Sequence, residues 1–98
     1  MSKGKNYLLK GVTANGPGDW ILLNGELKTL LLWGTLDGAA VTVEISMDPE
    51  DAGSIISVSE LVLTTTGAKN TRIGAGIFVR GNVSGGGGSI DITLGFIG

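Results

Sequence analysis

The chain contains no cysteine and no histidine. Without thiols there is no disulfide framework, so the fold has to stand on packing alone. Neither a zinc finger nor a thiol enzyme can be built, and triads or metal sites that rely on imidazole are excluded with them. Charge is scarce, at 16% of the 98 residues and a net −2. A weakly acidic chain has no electrostatic basis for non-specific nucleic-acid binding, and nucleic acid is not expected as a partner. Long apolar runs are missing as well. Gly, Asn and Ser cut each one short of the ~20 residues a spanning helix needs, so no membrane partner is expected. The opening stretch Met1-Ser2-Lys3-Gly4-Lys5-Asn6 is positively charged but lacks the apolar region and cleavage site of a secretory signal. Synthesis and folding in a cytoplasm are therefore expected.

What is abundant is apolar residues, at 42%, and glycine, at 18 of 98. Ninety-eight residues make one small domain, and apolar surface left over on such a domain tends to be buried against something else. Glycine is well above its usual ~7% share, without the strict three-residue repeat of collagen. It punctuates short apolar runs, the pattern of strands joined by tight turns. Strands are predicted at Tyr7-Leu8-Leu9, Trp20 to Leu23, Lys28 to Trp33, Val41 to Met47, Ile55 to Val58, Leu61 to Thr65, Ile77 to Arg80 and Ser89 to Phe96. Between them, Asn24-Gly25 and Asp37-Gly38 accept the positive φ angles of type I′ turns, and each predicts a hairpin. Val41, Val43, Ile45 and Met47 alternate with Thr42, Glu44 and Ser46, predicting one packed face and one wet face.

The expected fold is all-β: a single small antiparallel β-sandwich or barrel of about seven or eight short strands, essentially without helix. One short turn is possible around Pro49 to Ala52. Residues 1–6 read as a flexible arm and residues 7–98 as the domain.

Candidate chemistry is sparse. Asp48, Glu50 and Asp51 cluster in a turn but lack the spacing of a calcium loop, so an ordinary acidic turn is the preferred reading. Most other carboxylates, Glu44 and Asp91 among them, fall at turn or solvent-facing strand positions, and no enzyme activity and no cofactor are expected. Ser84-Gly85-Gly86-Gly87-Gly88-Ser89 lacks the Lys-Ser/Thr and the helix of a phosphate loop. It resembles a flexible linker equally well; with a strand on either side it reads as a natural mobile hairpin loop. Trp20 and Trp33 suit either a sugar-stacking platform or the usual core or interface anchors of a β-sandwich, and subunit interface is favoured over the sugar site. Leu30-Leu31-Leu32-Trp33 is apolar on both faces of its strand, so one face serves the core and the other needs cover. Leu31, Trp33 and Trp20 are thus the candidate oligomer or partner interface. Lys3 and Lys5 form either a frayed terminus or an arm that docks on an acidic neighbour.

Four pieces of the chain, Gly18-Asp19-Trp20, Leu32-Trp33-Gly34, Gly38-Ala39-Ala40-Val41-Thr42-Val43-Glu44-Ile45-Ser46-Met47-Asp48 and Phe78-Val79-Arg80-Gly81-Asn82-Val83-Ser84-Gly85, occur in an order that resembles a group of small bacteriophage virion proteins. The resemblance spans about residues 16 to 98. It departs at Asp48-Pro49-Glu50-Asp51-Ala52-Gly53-Ser54-Ile55, where such proteins often carry a Gly-Gly pair and a tryptophan. The resemblance implies a head decoration (cement) protein or a fibre- or tail-associated β domain, commonly trimeric, that binds by shape and apolar contact. On that basis the expectation is a virion-located homotrimer that bridges subunits of the major capsid protein. The alternative is a carbohydrate- or receptor-binding module of a tail fibre.

Overall fold

The computed structural model describes residues 6–98. Nine strands and one 3₁₀ turn follow one another: β1 (Asn6–Val12), β2 (Gly16–Pro17), β3 (Ile21–Leu22), β4 (Leu27–Thr35), β5 (Ala40–Ser46), the turn Ala52–Ser54, β6 (Ile56–Leu63), β7 (Gly67–Ile73), β8 (Phe78–Ser84) and β9 (Asp91–Ile97). They form two antiparallel sheets packed face to face. The first has the order β1-β9-β4-β7; the second has the order β2-β8-β5-β6, with β3 also pairing β8. Period-2 alternation generates the core between them. Leu30 and Leu32 of β4 and Ile92, Leu94 and Phe96 of β9 point inward from one sheet, and Val41, Val43, Val79 and Val83 from the other. The expected all-β sandwich is what the chain forms, and β1 takes in Asn6, assigned above to the arm.

Both predicted hairpins are overturned. β3 pairs β8, β4 pairs β7 and β9, and β5 pairs β6 and β8, so Asn24-Gly25 and Asp37-Gly38 each carry the chain from one sheet to the other. At the second, the local chemistry is as expected. Asp37 and Gly38 have φ of 49° and 82°, and Ala39 N–H donates to the Leu36 carbonyl at 2.9 Å. Gly25 has no left-handed φ. A turn sequence dictates a local reversal, whereas pairing is decided by which faces are buried.

Three further corrections concern the strands. β7 escaped prediction because Gly67 to Asn70 are exposed throughout, as suits a polar edge strand without an apolar face. The two runs expected at 55–58 and 61–65 form the single strand β6. Its ladder is interrupted where residues 58–61 stand opposite Val43, a bulge that no periodicity announces. On β5 the face expected to be wet is covered: Glu44 and Ser46 are buried, while Met47 is 84% exposed. Ser46 lies under the 47–55 loop, where its hydroxyl shares a 2.7 Å hydrogen bond with that of Ser54 and accepts from Asp48 N–H at 3.0 Å.

The glycine run 84–89 is not a hairpin either, since β8 and β9 lie in different sheets. Four hydrogen bonds tie it down. Gly87 N–H donates to the Asp37 carbonyl at 3.0 Å and Ser89 N–H to the Asp37 carboxylate at 2.9 Å. The Asn15 amide both donates to the Gly86 carbonyl and accepts from Gly86 N–H. A Cβ on Gly87 would collide with the Asp37 carboxylate. That glycine is a packing requirement of the crossover, where a linker would only need a flexible chain.

Candidate functional site

Because Leu30 and Leu32 face the core, Leu31 and Trp33 must face out, and they are 36% and 47% exposed. They sit on the outer surface of the first sheet. Register builds the rest of the surface: Leu31 lies opposite Gly95 of β9 and Ala68 of β7, Trp33 opposite Thr93, and Thr29 opposite Ile97. On the far side of β9, Tyr7 of β1 also lies opposite Gly95. Gly95 thus lies between two aromatic side chains, with the edge of the indole packed over it. A Cβ there would lie at ordinary contact distance from the Asn6 carbonyl oxygen, 3.4 Å, and from the Trp33 ring, 3.6 Å. Tyr7 and Trp33 meet edge to face, with centroids 6.2 Å apart at 66°, and Lys10 Nζ stands 5.1 Å from the Tyr7 ring centre. With Ile97, 55% exposed, these residues make an apolar-aromatic surface bordered by the Lys10 ammonium and by Asp91, which lies opposite Thr35.

Trp20 is elsewhere. Its ring lies against the Arg80 guanidinium, 4.4 Å from Cζ to the centroid, over the outer face of the second sheet. Arg80 Nε donates to Glu44 Oε1 at 2.6 Å and Asn82 Nδ2 to Glu44 Oε2 at 3.2 Å. The Arg80 and Glu44 side chains are 19% and 12% exposed, so the ion pair is largely withdrawn from water on the side that was expected to be wet. Trp20 therefore covers an internal salt bridge, and the three candidate interface residues divide between opposite faces of the sandwich. Lys3 and Lys5 lie outside the described residues.

The acidic side chains mostly hold the scaffold. Asp48 and Asp51 accept from the Glu50 and Gly53 N–H groups within their own turn, which is the work of an ordinary acidic loop. Glu26 pairs Arg72 and, more loosely, Lys28. Among the described residues no group of three acidic side chains is placed to hold a metal ion.

Sequence reasoning found Leu31 and Trp33 but missed Tyr7, Gly95 and Ile97. The available signal was Gly95 itself, a glycine inside an alternating strand, which marks a place where something packs close to the backbone. Which strands would flank it could not be read from the pattern.

The exposed placement leads to a prediction. Replacing Trp33 with Ala should cost the fold only about 1 kcal/mol, since a half-exposed ring loses little burial and an aromatic pair contributes ~0.5–1.5 kcal/mol. A buried tryptophan would cost ~3–5 kcal/mol. If this surface is where copies meet, Trp33→Ala and Leu31→Ser should remain folded by circular dichroism yet sediment as smaller species than the parent chain. Unchanged sedimentation would remove the surface from self-association. No protein-family model, no curated protein and no solved structure matches this chain.

Proposed function

We propose that this chain is a non-enzymatic structural protein that attaches through the outer face of its first sheet, as a capsid decoration protein stabilising a phage head. The observation that carries the reading is the difference between the two faces of the sandwich. One presents Leu31, Trp33 and Ile97 to solvent around the half-buried Tyr7, with charge at its border from Lys10 and Asp91. Among the described residues, the other exposes the aliphatic Leu22 and Val62 but no aromatic pair, and its centre is a polar cluster whose groups pair with each other. Exposed apolar surface of this kind is characteristic of docking sites, and decoration needs only docking. A protein that binds only the assembled shell shifts the assembly equilibrium toward that shell by linkage. Self-association, as the trimer that the virion resemblance implies, would multiply the number of attachments per particle.

The test is binding to assembled shells compared with free coat subunits. The proposal expects cosedimentation with shells only, loss of that binding in Trp33→Ala, and shells that better resist heat when decorated. Removing residues 1–5, which leaves β1 intact, tests the arm. If Lys3 and Lys5 dock on acidic coat surface, the deletion weakens binding and flattens its salt dependence, because exposed charge pairs are screened over ~8 Å at physiological ionic strength. Binding without change assigns attachment to the sheet face alone.

A second reading rests on one observation. The Trp33 indole lies over Gly95 beside Tyr7, an arrangement that can also stack on a sugar ring. Binding to bacterial surface polysaccharide that depends on Trp33, without shell binding, would replace decoration by the fibre-module reading.

A further inference from the structure

The chain contains three steps of the type most prone to spontaneous backbone chemistry, Asn15-Gly16, Asn24-Gly25 and Asp37-Gly38. In each, the glycine nitrogen can attack the preceding side-chain carbonyl, because no side chain shields it and its backbone is free to adopt the required geometry. From sequence, the two asparagine steps are equivalent. In the fold they are not.

Asn15 is held at both ends of its amide. Nδ2 donates to the Gly86 carbonyl at 3.1 Å and Oδ1 accepts from Gly86 N–H at 2.9 Å, while Gly16 is in the β2–β8 ladder opposite Val83. Asp37 is held similarly, its carboxylate accepting from Ser89 N–H and its carbonyl from Gly87 N–H. Asn24 has neither restraint. The ladder with the 76–77 segment ends at Leu23, and β4 begins only at Leu27. Both Asn24 and Gly25 are exposed, and among the described residues neither the Asn24 amide nor the Gly25 N–H has a hydrogen-bond partner. Nothing lies within 4 Å of the Gly25 Cβ direction.

We propose that Asn24 is the site at which the folded protein modifies itself by deamidation, while Asn15 is protected by the fold. The Gly25 nitrogen bonds to Asn24 Cγ, the Cγ–Nδ2 bond breaks, and ammonia leaves with the proton from the Gly25 nitrogen. Water then opens the five-membered imide at one carbonyl or the other, giving aspartate or isoaspartate. Either product takes the net charge from −2 to −3, beside the Glu26 carboxylate and its Arg72 and Lys28 partners. Isoaspartate also adds a methylene to the backbone of the β3–β4 crossover.

The experiment incubates the native full chain in mildly alkaline buffer, with a parallel sample in concentrated urea, and follows both asparagines by peptide mass mapping and isoelectric focusing. The expected result is conversion at Asn24 and not at Asn15 in buffer, with both converting in urea, where the fold no longer protects. Gly25→Ala removes the exposed approach without strain, because Gly25 has no left-handed φ, and should abolish the acidic species while leaving the melting temperature unchanged. Equal conversion of Asn15 and Asn24 in buffer overturns the proposal. So does an intact Asn24 in buffer alongside its conversion in urea.

Discussion

Gly34→Ala is expected to melt on the order of 15 °C or more below the parent chain, the largest effect of any conservative change on the first sheet. Gly34 lies near the end of β4 with φ of 112°, a region that residues with a side chain rarely adopt. The position is closed sterically as well. A Cβ there would point into the Asp91 carbonyl oxygen across the β4–β9 ladder, with the Asp91 carbonyl carbon and Ile92 Cα behind it. These are backbone atoms of a paired strand, so relief requires the ladder itself to move. Backbone strain and overpacking each cost ~1–3 kcal/mol, about 2–6 kcal/mol together. A domain of this length loses ~4–8 °C per kcal/mol. Thermal unfolding followed by circular dichroism reads the difference, and a loss of only a few degrees would show that the ladder end yields freely. Trp33 precedes Gly34, so the same variant should also disturb the candidate attachment surface, which makes Trp33 fluorescence a second readout.

Glu44→Ala comes next in size, at about 2–4 kcal/mol, because it strands two partners in a poorly solvated place. Arg80 would keep its position under Trp20 without a counter-charge, and Asn82 would lose its acceptor. Hydrogen bonds to charged groups contribute ~1.5–3 kcal/mol, and removing one member of a buried pair costs ~3–5 kcal/mol. Residual exposure of 19% and 12% places this pair below the upper end. Removing both charges by Glu44→Leu with Arg80→Met should cost less than Glu44→Ala alone, since the apolar pair leaves no buried charge uncompensated and only the Asn82 amide without its acceptor. Urea unfolding of the single and double variants gives the comparison. A Glu44→Ala chain within half a kcal/mol of the parent would mean that water already solvates the pair.

This cluster bears on the resemblance to virion proteins. Gly18 donates to the Gly81 carbonyl at 2.7 Å, Trp20 covers Arg80, and Val41, Val43, Val79 and Val83 fill the core. Most of the pieces that carry the resemblance thus meet on the second sheet, where they hold the scaffold together. Only Leu32-Trp33-Gly34 falls on the first sheet, beside the exposed aromatic surface. Grammar of this kind bears on the fold, and the candidate attachment face draws on residues outside it, such as Tyr7 and Ile97.

By itself the sequence determined the all-β class, the inward residues of β9, Val41 and Val43 of β5, and the choice of Leu31 and Trp33 as the β4 side chains in need of cover. Each follows from alternation along a strand and from glycine between strands, and both are local properties of the chain. Tertiary structure alone decided the rest: that two apparent hairpin turns are crossings between sheets, that polar β7 is an edge strand, and that Glu44 is covered. It also parted Trp20 from Trp33 and distinguished Asn15-Gly16 from Asn24-Gly25. The physical reason is the same in every case. Alternation says which way a side chain points relative to its own strand, whereas partners such as β4 with β9, or Asn15 with Gly86, are separated by some 60 to 70 residues along the chain and meet only when both sheets close on one core.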